Sequence, residues 1–205
     1  MPRRPTDDRT PQGYRQTPGH GPLVRSDVLD VYVFRRALGA GAASSGAEFL
    51  QLLRARPPLE GAWHPIMGHI EAGEAACDAA RRELREEVGL APRDRTFVGM
   101  WALEQVHPFY VAAIDCIVLS PRFAVEVGRP WRPQLNSEHR EFRWVPARDV
   151  PRRFMWPGQI ESIREIREHL LPARSLAREA LRVESATTGA RDRRVRVVRR
   201  ERERG

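Results

Sequence analysis

The sequence contains no lysine, few cysteines and no long hydrophobic run. All 35 basic residues among its 205 positions are arginines, which accounts for a pI near 10.9. The two cysteines, Cys77 and Cys116, are expected to be reduced and packed, because a lone pair offers little for a disulfide framework. No stretch approaches the roughly 18 uninterrupted apolar residues that a membrane span requires. We therefore expect a cytoplasmic protein with no membrane partner.

The positive charge is concentrated at the two ends of the chain. Residues 1–26 carry +3 and residues 173–205 carry +6 of the net +8, so the 146 residues between them carry about −1. With 41% hydrophobic residues, one core is the natural expectation. We predict a disordered, proline- and arginine-containing arm over residues 1–24, without the hydrophobic segment of a signal peptide, and one domain over residues 25–172.

The basic tail over residues 173–205 is predicted to be partly helical or disordered. A solvated tail is one interpretation of the arginine-rich run at residues 191–204. The alternative is an electrostatic contact with RNA or another polyanion, which would weaken steeply with salt.

Hydrophobic periodicity predicts strands that alternate with two helices. Strands are expected at residues 28–34, 49–53, 96–106, 110–119 and 141–145, with another leading through Trp63 toward Gly68. A small-residue loop is expected over residues 39–46. Apolar residues three or four positions apart predict helices over residues 75–88 and 158–171. This order favours an α/β fold in which helices cover a mixed sheet.

Three glutamates on the first predicted helix suggest the chemistry of the protein. Glu83, Glu86 and Glu87 occupy positions i, i+3 and i+4, so their carboxylates fall on one helical face, which we expect to point away from the apolar stripe. Such like charges repel one another unless a cation lies between them. Oxygen ligands suit Mg²⁺ or Mn²⁺. A solvated helix of mixed charge is the alternative.

The sequence around these glutamates resembles the Nudix hydrolase signature at every fixed position. Gly68 is followed after five residues by Glu74 and after seven more by Arg-Glu-Leu-Arg-Glu-Glu-Val-Gly-Leu at residues 82–90. The resemblance implies an α/β/α sandwich over about residues 25–172, in which the signature forms a loop, a helix and a second loop. Glu74 lies too far from the helical cluster to share its face and is expected to be structural.

The resemblance also assigns roles to individual residues. It implies a metal site formed by Glu83, Glu86 and Glu87, with the main-chain carbonyl of Gly68 and the distant Glu138 as further ligands. It makes Arg82 an orienting partner of the carboxylates and Glu138 a candidate for activating water. The choice of general base between Glu138 and a helical glutamate stays open. A turn glycine, a surface ion pair and an exposed loop residue are the respective alternatives for Gly68, Arg82 and Glu138, and His139 is expected to pack locally.

Features outside the signature resemble dihydroneopterin triphosphate pyrophosphatases and dATP pyrophosphohydrolases. These features are Trp63, the Ser-Glu-His run at residues 137–139 and Trp156. They imply Mg²⁺-dependent cleavage of a nucleoside or pterin triphosphate to a monophosphate and pyrophosphate. The alternatives are a nucleotide sugar or dinucleoside polyphosphate as substrate, or a Nudix-fold module that binds nucleotide or RNA without catalysis. A homodimer is compatible with the resemblance, although no sequence stripe argues for it.

Recognition of such a substrate requires positive groups for the phosphates and a flat surface for the base. Arg25, Arg54 and Arg56 flank the first predicted strands, and a guanidinium can bind phosphate through two hydrogen bonds. Trp63 and Trp156 are candidates for stacking on the base. Solvated edge charges and core aromatics are the corresponding alternatives.

Overall fold

The structure is a computed structural model that describes residues 21–38, 46–172 and 174–183. Ten strands and four α-helices are found in this part of the chain: β1 (Leu23–Arg25), β2 (Val28–Arg36), β3 (Ala47–Arg54), β4 (Trp63–His64), β5 (Ile66–His69), α1 (Ala76–Val88), β6 (Phe97–Ala102), β7 (Phe109–Val111), β8 (Cys116–Val118), β9 (Arg122–Val127), β10 (His139–Pro146), α2 (Val150–Arg153), α3 (Pro157–Glu165) and α4 (Leu176–Ala180). A π-helical turn at Ile166–Leu170 continues α3.

A mixed sheet of seven strands forms the centre of the domain. Five strands lie in the order β10-β3-β2-β9-β6. In addition, β4 pairs with β3, and β5 pairs with β2. The β2–β9 pair is parallel and the other pairs are antiparallel. The predicted strands at residues 28–34 and 49–53 are confirmed as parts of β2 and β3.

Helices cover both faces of this sheet. On one face α1 buries Ala80, Leu84 and Val88 against apolar residues of β2 and β9. On the other face α3 and the following π turn bury Ile163, Ile166 and Leu170. The predicted α/β/α sandwich with a mixed sheet is therefore confirmed. Strand alternation separates the two cores, because successive side chains of a strand point to opposite faces.

Helix α1 begins and ends close to where the sequence predicted. Its alanine-rich first turns favour helix formation, and the apolar stripe provides the surface that is buried. Gly89 ends the helix with φ 70°, and its N–H bonds to the carbonyl of Arg85. Left-handed backbone at this position favours glycine, which explains the sharp stop.

Three strand predictions require correction. The predicted strand at residues 110–119 is divided, because a 3-10 turn at Ala112–Ile114 and the positive φ of Asp115 separate β7 from β8. These two strands form a separate three-stranded sheet with β1, in the order β1-β8-β7. The strand predicted for residues 96–106 ends at Ala102. The entirely buried strand β9 was not predicted at all.

Strand β9 was missed because Arg122 and Glu126 limit its uninterrupted apolar run to the three residues between them. Arg122 and Glu126 are buried, and each has a partner of opposite charge. The Nε atom of Arg122 lies 3.6 Å from Asp30, and Glu126 accepts hydrogen bonds from Arg36 at 2.9 Å and Arg178 at 2.5 Å. Burial of charges is tolerated where such pairs form, and hydrophobicity alone does not reveal them.

Residues 174–183 pack against both cores, with Leu181 on the α3 side of the sheet and Val183 on the α1 side. The main-chain N–H of Ala102 donates to Leu181, and that of Val183 donates to Met100, both at 2.9 Å. The indole N–H of Trp101 donates to the carbonyl of Arg178 at 2.7 Å. The predicted arm at residues 1–24, the small-residue loop and the arginine-rich run at 191–204 lie wholly or largely outside the described residues. Within those residues, no helix has the length and hydrophobicity to cross a membrane.

Candidate active site

The three glutamates of α1 differ in their exposure. Glu83 and Glu87 are buried, while the side chain of Glu86 is 56% exposed. The prediction that all three point away from the apolar side is thus wrong for two of them. Around the helix, Glu87 and then Glu83 lie nearest the buried stripe of Ala80, Leu84 and Val88, whereas Glu86 lies farthest from it.

Gly68 on β5 allows Glu83 to lie against the main chain. A Cβ atom at position 68 would come within 2.2 Å of the carboxyl carbon of Glu83 and 2.3 Å of its Oε1. Any side chain at residue 68 would therefore displace this carboxylate. The close approach gives this glycine a specific steric role beside the glutamate cluster.

Arg82 connects the loop before α1 to the carboxylates on the helix. Its guanidinium donates two hydrogen bonds to Glu74, at 3.1 and 3.0 Å, and one to the main-chain carbonyl of His69 at 2.7 Å. It also donates to Glu83 at 2.7 Å and to Glu86 at 3.4 Å. Glu74 is the acceptor that fixes the guanidinium, which gives a concrete form to its expected structural role.

Glu138 reaches the same site from the loop before β10. Arg54, at the end of β3, donates to its carboxylate at 2.5 Å, and the main-chain N–H of Ala55 donates to its carbonyl at 2.8 Å. Burial raises the pKa of Glu83 and of Glu87, and the negative charge of Glu138 acts in the same direction on both. The fold therefore brings this loop residue close to the glutamates of α1.

A pair of buried histidines lies behind Glu87. The rings of His64 and His139 are 5.2 Å apart, and Nε2 of His139 lies 3.8 Å from Oε2 of Glu87. Nδ1 of His139 contacts Asn136 at 3.2 Å, which agrees with the expected local packing. His64 and Asn136 were not among the predicted site residues. Their participation depends on strand pairing, and no spacing within the sequence signals it.

Burial shifts the pKa of Glu87 and the pKa of His139 in opposite directions. It raises the pKa of Glu87 to about 9, with repulsion by Glu83 and Glu138 as further causes. It lowers the pKa of His139 to about 4, and the positive charges of His64 and Arg54 act in the same direction. Burial thus favours the neutral forms of Glu87 and His139, which face each other. A bound cation would favour the ionised carboxylate instead.

The donor set fits a hard divalent cation. Four carboxylates surround the site, and Oε2 of Glu87 is buried with no hydrogen-bond partner in the described part of the chain. Among the described residues, no three His, Cys, Asp or Glu side chains already converge as a metal site. Arg82 and Arg54 engage oxygens of Glu83, Glu86 and Glu138 instead. Cation binding would therefore require some of these oxygens to exchange a guanidinium for the metal.

Comparison with known proteins decides the family. A model of the NUDIX domain matches residues 33–166. The chain belongs to the NUDIX domain family. Two curated relatives are similar in sequence to part of this NUDIX chain. An octanoyltransferase of Myxococcus xanthus is 34% identical over 115 residues, which cover 55% of this chain and 30% of that protein. Phosphatase NudJ of Escherichia coli is 33% identical over 92 residues, which cover 43% and 54% respectively. The chain thus spans about a third to a half of the length of these relatives.

Solved structures confirm the NUDIX fold. A C. elegans Ap4A hydrolase has a TM-score of 0.52 at 21% identity, with 69% of this chain and 95% of that chain covered. The E. coli dihydroneopterin triphosphate pyrophosphohydrolase has a TM-score of 0.50 at 19% identity, with 67% and 92% covered. Identities this low establish a shared fold alone.

The NUDIX fold separates the predicted substrate contacts from one another. Arg54 joins the carboxylate cluster, whereas Arg25 lies on β1 of the smaller sheet and pairs with Asp27 at 2.6 Å. Trp156 precedes α3, on the face opposite α1. One face of Trp63 is covered by the guanidinium of Arg143, 4.0 Å from the ring centroid. Arg56 is exposed beyond the end of β3.

Proposed function

We propose that this chain is a Mg²⁺-dependent hydrolase that cleaves a phosphoanhydride bond of a nucleotide derivative, with Mn²⁺ as an alternative cation. The observation that carries the proposal is the meeting of Glu83, Glu86 and Glu87 with Glu138 beside Gly68. Membership of the NUDIX family and the hydrolase names of its relatives support it.

Each residue of the cluster has a distinct proposed task. Glu83, Glu86, Glu87 and Glu138, with the carbonyl of Gly68, would hold the cation, which supplies charge neutralisation for the phosphates. Arg82 positions Glu83 through its contacts with Glu74 and the His69 carbonyl. Gly68 keeps Glu83 close to β5. Arg54 would donate to a phosphate oxygen after exchanging its contact with Glu138 for the substrate.

In the proposed reaction, water attacks a phosphorus atom of the substrate. The oxygen of water bonds to phosphorus, the bridging P–O bond breaks, and the bridging oxygen leaves with its electron pair as part of pyrophosphate. The proton of water passes to a carboxylate of the cluster. Because Glu83 and Glu87 are buried, we propose that this role falls to Glu138 or Glu86, whose side chains are 44% and 56% exposed.

We propose a nucleoside or pterin triphosphate as the substrate, with a monophosphate and pyrophosphate as products. The similarity to the C. elegans Ap4A hydrolase favours a dinucleoside polyphosphate as the second candidate. Trp156 is retained as a proposed contact for the base. Arg25 and Trp63 receive less support as direct contacts, because Arg25 is paired on another sheet and Trp63 is covered by Arg143.

The Glu86→Gln substitution tests this function. Glu86 is exposed, so the amide should leave folding intact but remove a cation ligand, and kcat should fall by about 100-fold or more. The assay measures pyrophosphate or phosphate release with Mg²⁺ from deoxynucleoside triphosphates, dihydroneopterin triphosphate, nucleotide sugars and dinucleoside polyphosphates.

Glu168→Gln is the matched control, because Glu168 is exposed on the π turn after α3 and far from the cluster in the fold. This control should retain wild-type activity. A wild-type protein that hydrolyses none of the substrates, and matches Glu86→Gln throughout, would contradict the proposal and favour a non-catalytic binding module.

A further inference from the structure

A guanidinium is held rigidly on the face of the sheet opposite α1. Arg143 of β10 stacks on Trp63 and donates from Nε and Nη2 to Oε1 of Gln51, at 2.9 and 2.7 Å. Gln51 is completely buried, and its own amide donates to the carbonyl of Arg153 at 3.1 Å. A guanidinium fixed in this way loses little conformational entropy when it binds a further group.

The charge of Arg143 is not neutralised by an ion pair in the described part of the chain. A guanidinium has five N–H groups on three nitrogens, and Gln51 accepts hydrogen bonds from only two of the Arg143 nitrogens, Nε and Nη2. Burial lowers the pKa of Arg143, the nearby positive charge of Arg153 lowers it further, and Glu141 offsets these effects only in part. Two guanidinium groups close together on one face favour an anion between them.

Both arginines line one cavity. Its volume is about 200 Å³, and Val145, Pro146 and Asp149 contribute to the wall. Asp149 is the acid in this lining, so one carboxylate faces the two guanidinium groups of Arg143 and Arg153. The cavity therefore has a net positive character that this acid does not cancel.

We propose that this cavity is a second anion site, which binds a phosphate group between Arg143 and Arg153. The volume is below the roughly 300–1,000 Å³ typical of pockets for whole drug-sized ligands. It suits inorganic phosphate, or the terminal phosphate of a nucleotide whose remainder stays in solvent. The lining shares no residue with the carboxylate cluster, and it lies on the same face of the sheet as Trp156.

Titration of the full chain with inorganic phosphate tests this site. Calorimetry at low ionic strength with EDTA should show saturable binding of one phosphate, because the metal-free carboxylate cluster repels anions. Arg143→Gln and Arg153→Gln should each weaken binding by at least about tenfold, as expected for loss of a charge-assisted hydrogen bond. Arg153 is exposed, so its variant should fold normally.

Two control variants distinguish binding in this cavity from binding elsewhere on the protein. Arg167→Gln, at an exposed position after α3, and Glu86→Gln should both bind phosphate like the wild type. A parallel titration with a nucleoside monophosphate distinguishes the sources, since tighter binding than inorganic phosphate would identify a nucleotide as the ligand. Absence of saturable binding, tighter binding by Glu86→Gln, or unchanged affinity in Arg153→Gln would each overturn the proposal.

Discussion

At the scale of single residues, the site depends on contacts that sequence spacing shows only in part. The pattern identified Glu83, Glu86 and Glu87 correctly as one cluster on a helix. It did not reveal that Glu83 and Glu87 are buried, because their cover comes from β5 and from the loop before β10. Spacing along the chain reports which residues share a helical face, whereas burial depends on what packs against that face.

Replacement of Gly68 by alanine should disrupt the site. The new Cβ would lie 2.2 Å from the carboxyl carbon of Glu83, so either β5 or the carboxylate must move. A displacement of about 1 Å in a catalytic site can cost about 100-fold in rate, and we expect a loss of that order in kcat/KM together with a lower Tm.

Gly128→Ala is the control for this substitution. A Cβ there would meet its nearest neighbour at 3.6 Å, which is an ordinary contact, so activity and Tm should stay close to wild type. Equal activity of the two alanine variants would refute the steric role assigned to Gly68.

At the scale of secondary structure elements, local pattern predicted the helices better than the strands. The helix at residues 75–88 and most of the helix at 158–171 were found, because an apolar stripe identifies a helix without reference to its neighbours. Strand β9 was missed because its charged residues are neutralised by distant partners on β2 and α4. Such pairings arise only when the chain has folded.

His107, in the loop between β6 and β7, should make the free energy of unfolding depend on pH. Burial lowers the pKa of His107, and the positive charge of Arg122 acts in the same direction. The native state thus disfavours protonated His107, while the unfolded chain takes up the proton near the ordinary value of about 6.5. The unfolded state therefore binds more protons as pH falls below about 6.5, and stability decreases there.

Replacement of His107 by glutamine should reduce this loss. Thermal unfolding measured from about pH 8 to about pH 5 should show a smaller fall in Tm for His107→Gln than for wild type. His169→Gln, at an exposed position in the π turn, provides the control. A wild-type slope in the His107 variant would argue against this origin of acid sensitivity.

At the scale of the whole molecule, the resemblance predicted the sandwich and the family, while two boundaries remain predictions. The arm at residues 1–24 and the tail beyond residue 172 were separated by composition and charge. Composition does not reveal that residues 174–183 contact the sheet, because that contact is made by Arg178 and main-chain groups. An arginine-rich segment can thus serve as part of the folded domain.

Two truncations distinguish the contributions of this segment. Removal of residues 174–205 should lower Tm by at least about 5 °C, since it eliminates main-chain hydrogen bonds and exposes Trp101. Removal of residues 184–205 leaves every described contact in place and should change Tm little. Equal Tm values for the two truncated chains would show that residues 174–183 add nothing to stability.

The burial of Trp101 has an optical consequence. Its indole is fully buried, and the guanidinium of Arg178 stacks over the ring, 4.3 Å from the centroid. The indole N–H donates a hydrogen bond to the main-chain carbonyl of the same arginine. A tryptophan screened from water in this way emits at shorter wavelengths than a hydrated one. Detachment of α4 would therefore shift the intrinsic fluorescence to the red while the rest of the sheet stays folded. The chain carries its own reporter for the state of its C-terminal segment.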